Sequence, residues 1–141
     1  MFKIKLFFII FISSKLLSQE LPPIQSFMMD DYNASGQNWM ISQSSNGDIL
    51  FANNDGLLVY NGNKWNSYSS TSNTIVRSVN SINDIVYTGE NSDFGFWIKQ
   101  KNGSYIYTSI PNKYEFELFE DEEFWNILEF KNWIVFQSLD R

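Results

Sequence analysis

The chain has 141 residues and a formal net charge of -6, from 10 Lys and Arg against 16 Asp and Glu. That length suits a single domain, and the negative surplus argues against nucleic-acid binding, which rewards clustered lysine and arginine. Cysteine and histidine are both absent, which excludes disulfides, thiolate nucleophiles, Ser-His-Asp triads and zinc sites built on those ligands.

The N-terminus reads as a secretory signal peptide over residues 1–18. Lys3 and Lys5 precede the unbroken apolar run Leu6 to Ile12, and Leu16-Leu17-Ser18 fits a cleavage site after Ser18. The apolar run is far shorter than the roughly 20 residues that cross a membrane. Cleavage would remove Lys3, Lys5 and Lys15 and move the charge from -6 to -9. Residues 19–38 follow as a lead-in. Leu21-Pro22-Pro23-Ile24 is extended, because each proline constrains itself and its predecessor. A short strand is expected at Gln25 to Met29, and Leu21 to Phe27 is a candidate edge strand.

From Trp39 onward, short apolar segments alternate with turn signals. Strands are expected at Trp39 to Gln43, Asp48 to Ala52, Leu57 to Tyr60 and Asn63 to Tyr68, joined by turns at Gly47, Gly56 and Gly62. Asn-Gly and Asp-Gly pairs favour tight hairpins. The result is one four-stranded meander over 39–68. After the serine-rich linker Ser69 to Asn73, the pattern repeats over 74–110. Strands are expected at Ile75 to Val79, Asp84 to Thr88, Phe94 to Ile98 and Ser104 to Thr108, the last entered through the Gly103 turn. Alternation puts Phe94 and Phe96 on one face and Trp97 on the other. A third unit over 114–141 has only its start. Pro111 to Lys113 turns, Tyr114 to Phe119 is expected extended, and Phe124 to Leu128 and Trp133 to Gln137 form strands around a turn at Glu129 to Asn132.

Ile49-Leu50-Phe51 aligns with Ile85-Val86-Tyr87 at a spacing of 36, and Ile134-Val135-Phe136 with Ile85-Val86-Tyr87 at 49. Four-stranded units at such spacings are the signature of a β-propeller, whose blades have two apolar faces and bury them against neighbours. The fold class expected is therefore all-β, a partial propeller of two blades and the start of a third. A β-sandwich of similar strand spacing is the alternative. Trp39, Phe51, Tyr60, Tyr87, Phe94, Phe96, Trp133 and Phe136 are the aromatics expected in the blade cores.

The candidate chemistry is sparse. Asp93-Phe94-Gly95 spells the magnesium triplet of protein kinases without the rest of that machinery. The acidic run Glu120 to Glu123 lacks the glycine turn of a calcium loop and reads as a solvated loop. Asp48, Asp55, Asp84 and Asp93 sit beside asparagine or glycine, where aspartate caps turns. Asn33-Ala34-Ser35 and Asn102-Gly103-Ser104 match the glycosylation pattern and read as turns. Arg77 stands alone, with Arg141 the only other arginine. On an innermost strand it would present a five-donor fork to an acidic or sugar-like ligand; otherwise it pairs with Glu90 or Asp93. No catalytic residue, metal ligand or cofactor site is assigned.

Asn38 to Gln43, Asn46 to Ala52 and Gly56 to Tyr60 together resemble the two-component-regulator-type propeller repeat of Bacteroidetes-type periplasmic sensors. Leu21 to Ile24, Asp31 to Ala34, Ile75 to Val79, Tyr87 to Gly89, Asp93 to Trp97 and Phe136 to Ser138 extend the likeness in order. The resemblance implies the opening fragment of an exported sensor domain. The parent would add the missing blades, an inner-membrane helix and a transcription-regulatory output domain, and a homodimer of the parent is one arrangement it allows. The ligand would be a small molecule or glycan fragment. Two alternatives stay open: a propeller enzyme acting on glycans through carboxylates, and a non-catalytic extracellular interaction module.

Overall fold

The structure, a computed structural model, describes residues 21–119 and 121–139. The signal peptide expected at 1–18 lies outside them. Among the described residues, ten strands form three antiparallel sheets. Sheet 1 is a meander of β1 (Asn38–Gln43), β2 (Ile49–Asn53), β3 (Gly56–Tyr60) and β4 (Trp65–Tyr68). Sheet 2 repeats it with β5 (Val76–Ile82), β6 (Ile85–Glu90), β7 (Phe94–Lys99) and β8 (Tyr105–Ser109). Sheet 3 is the hairpin of β9 (Phe124–Phe130) and β10 (Trp133–Ser138). Strands of different repeats do not mix, so the periodicity read from the sequence corresponds to separate sheets. All four turn glycines adopt positive φ. At Gly56 a side chain is doubly barred, since φ is +127° and an added Cβ would lie 2.2 Å from the Tyr68 carbonyl oxygen.

Two short helices replace expected features. No strand forms at Gln25 to Met29 and no edge strand at Leu21 to Phe27. Asp31 accepts from the Met28 amide at 2.6 Å and Asn33 turns left-handed at φ 48°, which closes the single turn α1 (Met29–Tyr32). Phe27 instead lies on the outer face of sheet 1, its ring 5.2 Å from Tyr60 and 5.1 Å from Trp65. The Pro111 to Lys113 turn is part of α2 (Ile110–Tyr114). Ser109 accepts from the Asn112 amide at 3.2 Å, and proline suits a helix start because its missing N–H has no partner there. Glu115 ends α2 at φ 53°, and no strand follows over Tyr114 to Phe119. The last turn is tighter than expected, at Lys131 and Asn132.

The main core lies between sheets 1 and 2. Leu50, Ala52, Leu57 and Val59 meet Val76, Val79, Val86 and Trp97, all 2 % exposed or less. A second aromatic layer lies between sheets 2 and 3, where Phe94 stacks on Phe124 at 4.7 Å and on Phe136 at 4.5 Å. Tyr87 and Phe96 complete it. The pleat of β7 explains this division, with Phe94 and Phe96 toward sheet 3 and Trp97 toward sheet 1. Phe51 and Tyr60 are half-buried against Trp65 on the outer face of sheet 1.

Two of the expected core aromatics are not core. Trp133 is 72 % exposed and Trp39 is 40 % exposed. Trp133 pairs with Phe130, and Val135 with Leu128, on a face of sheet 3 that no other described element covers. Trp39 is displaced by a backbone irregularity in the first strand of its sheet.

Candidate functional site

The first strand of each sheet carries the same irregularity. In sheet 1, Asn38 pairs with Asn53 and Met40 with Ala52, so Trp39 is skipped. In sheet 2, Val76 pairs with Glu90 and Ser78 with Gly89, so Arg77 is skipped. In sheet 3, Phe124 pairs with Ser138 and Asn126 with Gln137, so Trp125 is skipped. A bulge leaves its extra residue out of the ladder and re-aims the side chain. The partners just before each bulge, Asn53, Glu90 and Ser138, are all buried polar residues.

The three bulge residues converge. The Arg77 guanidinium carbon lies 4.3 Å from the Trp39 ring centroid and 5.0 Å from that of Trp125, and the two indoles meet edge-on at 5.5 Å. Arg77 donates from Nε and Nη2 to Glu123 Oε1 at 3.2 and 2.7 Å. Trp125 Nε1 donates to the other Glu123 oxygen at 3.1 Å, and Trp39 Nε1 donates to Asn54 at 2.7 Å. Both indole nitrogens and two of the three guanidinium nitrogens are tied down, and the Arg77 and Glu123 side chains are only 12 % and 23 % exposed. Arginine stacks on indole faces and carries a planar fork, so lysine could not build this clamp.

Arg77 therefore has a carboxylate partner, and it is Glu123 rather than Glu90 or Asp93. Glu90 faces the sheet 1 side of β6, and Asp93 Oδ1 already accepts from the Phe94 amide and Ser109. The acidic run is correspondingly not a solvated loop. Glu122 is 9 % exposed and Glu123 holds Arg77, while Glu120 lies outside the described residues.

The four aspartates do more than cap turns. Asp48 is buried between sheets, where it ion-pairs with Lys99 and accepts from the Tyr105 hydroxyl at 3.1 Å. Burial opposes its charge, but the hydrogen bonds from Lys99 and Tyr105 prevail and hold the carboxyl below its usual value of 3.8. Asp84 accepts from Ser45 across the same boundary, and Asp55 accepts from the Ser35 amide at 2.7 Å. The Asn33 and Asn102 motifs are turns: Asn33 is left-handed, and Asn102 accepts from the Ser104 amide at 3.0 Å.

A second constellation was not legible in the sequence. Glu90 is fully buried, and its Oε2 accepts from Ser70, Ser72 and Thr74 at 2.5, 2.7 and 3.2 Å. The serine-rich segment that reads as a linker is thus a lid of hydroxyls over a carboxylate. Burial pushes the Glu90 carboxyl above its usual 4.5, the hydroxyls pull it back in part, and the Asp93 charge adds to the rise. The sign for stability follows. A raised carboxyl favours the fold while it is protonated, so that contribution is complete below pH 4.5 and declines as pH rises through the raised value. Asp48 acts in the opposite sense, its contribution declining only as pH falls below 3.8. We expect thermal melting between pH 5 and pH 8 to fall in the native chain, and the Glu90→Gln variant to show a flatter profile. Parallel profiles would show that Glu90 keeps its charge throughout.

Among the described residues, no group of three His, Cys, Asp or Glu is placed to hold a metal ion, and no helix is long and apolar enough to cross a membrane. No protein-family model, curated protein or solved structure matches the chain.

Proposed function

We propose that this chain is part of a β-propeller-type ligand-binding domain of an exported sensor protein, and that Trp39 is the platform for its ligand. The observation that carries the reading is the threefold bulge. Three successive sheets present one residue each, from the same place in the first strand, to one spot. Strand β5 packs against both β1 and β9, and Ser78 and Asn80 donate to the Phe124 and Ile127 carbonyls at 2.9 and 3.1 Å. First strands side by side, opening two antiparallel meanders and a hairpin, support a reading as consecutive blades around an axis. Bulges are over-represented beside active sites because they aim side chains out of the ladder.

The geometry assigns different work to the three residues. Arg77 gives Nε and Nη2 to Glu123 and stacks on both indoles, which supports a positioning role for it. Trp39 keeps 40 % of its surface open while its nitrogen is fixed by Asn54. A rigid, half-open indole suits the apolar face of a sugar ring or another ring-bearing small molecule. The sensor role is supported by the ordered series of repeat motifs and by the basic and apolar N-terminus.

The test is binding of the full chain to an oligosaccharide array, followed by titration calorimetry on the best binder. Trp39→Ala should weaken binding about tenfold, which is roughly 1.4 kcal/mol and within reach of one lost aromatic contact. Trp133→Ala should leave it unchanged. Equal affinity for the Trp39→Ala and native chains, with circular dichroism intact, would remove Trp39 from the site.

A further inference from the structure

We propose that Asn54 is the specificity-determining residue of the Trp39 platform, and that it selects a ring bearing an uncharged carbonyl, as in the acetamido group of an N-acetylated amino sugar; this rests on the reading of Trp39 as that platform. Asn54 lies in the tight turn between β2 and β3, where its backbone amide donates to the Gln37 carbonyl at 3.3 Å. Its side chain meets the edge of the indole, with Trp39 Nε1 donating to Oδ1 at 2.7 Å. An indole nitrogen only donates, so the atom facing it is the amide oxygen. That contact fixes which way the amide points and leaves Nδ2 for another partner. Among the described residues, the buried side-chain atoms without a partner are Trp65 Nε1, Asp93 Oδ2 and the Tyr107 hydroxyl. Asn54 Nδ2 has no partner and is not one of these, so its N–H groups reach solvent beside the platform.

The geometry of the clamp says which face of Trp39 a ligand takes. Arg77 lies over one face at 4.3 Å, and Trp125 is 5.0 Å from Arg77 and 5.5 Å from Trp39. Separations this similar put Trp125 on the same side of the Trp39 ring as Arg77, so neither covers the opposite face. A hydrogen bond from Nε1 runs out from the rim of the indole, which places Asn54 beside a ring stacked on that opposite face and within reach of its substituents. The acceptors around the indole are already engaged: Asn54 Oδ1 by Trp39, Glu123 Oε1 by Arg77 and Glu123 Oε2 by Trp125. The open polar atoms are donors, Asn54 Nδ2 and the Arg77 Nη1 that Glu123 leaves unused. A carbonyl only accepts and matches such a rim, whereas a hydroxyl also brings a proton to place. A carboxylate accepts as well, but the Arg77 charge is matched by Glu123, Asp55 follows Asn54 directly, and the chain carries a net charge of -6. That field disfavours a further anion.

The experiment is titration calorimetry on the full chain with three trisaccharides: chitotriose as probe, cellotriose as its counterpart without acetamido groups, and trigalacturonate as the anionic one. The native chain should bind chitotriose at least tenfold more tightly than either of the others. Asn54→Asp keeps an oxygen for Trp39 Nε1 and removes both donors of the amide. It should weaken chitotriose binding at least tenfold, leave any cellotriose affinity unchanged and melt like the native chain. The ranking of the three sugars by the native chain carries the test if that variant does not fold. Trp39→Ala separates the two readings. Native chitotriose affinity in Trp39→Ala would remove the platform itself. Binding that needs Trp39 but ranks cellotriose or trigalacturonate level with chitotriose, or that Asn54→Asp leaves intact, would overturn the role of Asn54 and leave the platform standing. Failure of the native chain to bind chitotriose at all would overturn it as well.

Discussion

Trp97→Ala should be the most damaging single truncation in the chain, at about 3–5 kcal/mol. Trp97 is 1 % exposed at the centre of the layer between sheets 1 and 2. Its ring lies 4.8 Å from Tyr107 and 6.4 Å from Tyr68, and its Nε1 donates to Thr88 Oγ1 at 2.8 Å. Truncation leaves a cavity that the ladder of β6 and β7 cannot close, because Val86 pairs directly opposite Trp97 and holds the strand spacing. It also removes the stronger of the two side-chain hydrogen bonds of a fully buried threonine, leaving Thr88 only its 3.4 Å donation to Glu90. Trp133→Ala provides the contrast. That indole is 72 % exposed, so its truncation should change stability by no more than about 0.5 kcal/mol. Urea midpoints of the two variants against the native chain read the difference directly. Similar losses in both would mean that Trp133 is covered in solution by something that also holds the fold.

The same pair of tryptophans shows what a sequence reveals here. Alternation along β7 separates Trp97 from Phe94 and Phe96, but it does not say that the face Trp97 takes is the main core, and Trp97 is not among the aromatics expected in the blade cores. The exposure of Trp133 was invisible, because its position within a strand does not say whether another sheet lies against that face. The bulges escaped for a different reason. Counting by two assumes an unbroken ladder, so it places Trp39 in a core that the side chain leaves by one step of register. Arg77 stood out through its rarity, but its partner Glu123 is 46 residues away and lay in a run that looked solvated. The hydroxyl lid on Glu90 had no local signal at all. Serines in a loop are expected, and only the fold brings Ser70, Ser72 and Thr74 onto one buried oxygen. The failed strand at Tyr114 to Phe119 is a case of local chemistry winning. Ser109 and Pro111 start a helical turn at once, and it takes Tyr114 and ends at a left-handed Glu115, so the strand loses its first two residues.

Gly89→Ala should uncouple sheet 3 from the rest of the chain. Gly89 lies on β6 where β9 comes closest. A Cβ there would sit 2.5 Å from the Phe124 carbonyl oxygen, 2.5 Å from Ser78 Oγ and 2.6 Å from the Phe124 Cβ. Ser78 can rotate, but the Phe124 backbone can retreat only if β9 moves. That movement breaks the 2.9 Å bond from Ser78 to the same carbonyl. It also carries Glu123 and Trp125, which flank Phe124, away from Arg77. The expected cost is about 1–3 kcal/mol, the usual range for forcing an extra carbon into a packed site. The loss should be uneven. Amide hydrogens of β9 and β10 should exchange faster, while those of β2, β3 and β6 keep their protection, because the layer between sheets 1 and 2 is built on other residues. Gly103→Ala is the proper comparison. Nothing lies within 4 Å of its added Cβ, and its strain comes only from φ +86°, so any cost should stay in the hairpin between β7 and β8. If Gly89→Ala loosens no amide of β9, then the close approach of β6 and β9 is not what fixes Trp125 beside Arg77. In that event the clamp itself, rather than the glycine, holds the third sheet in place.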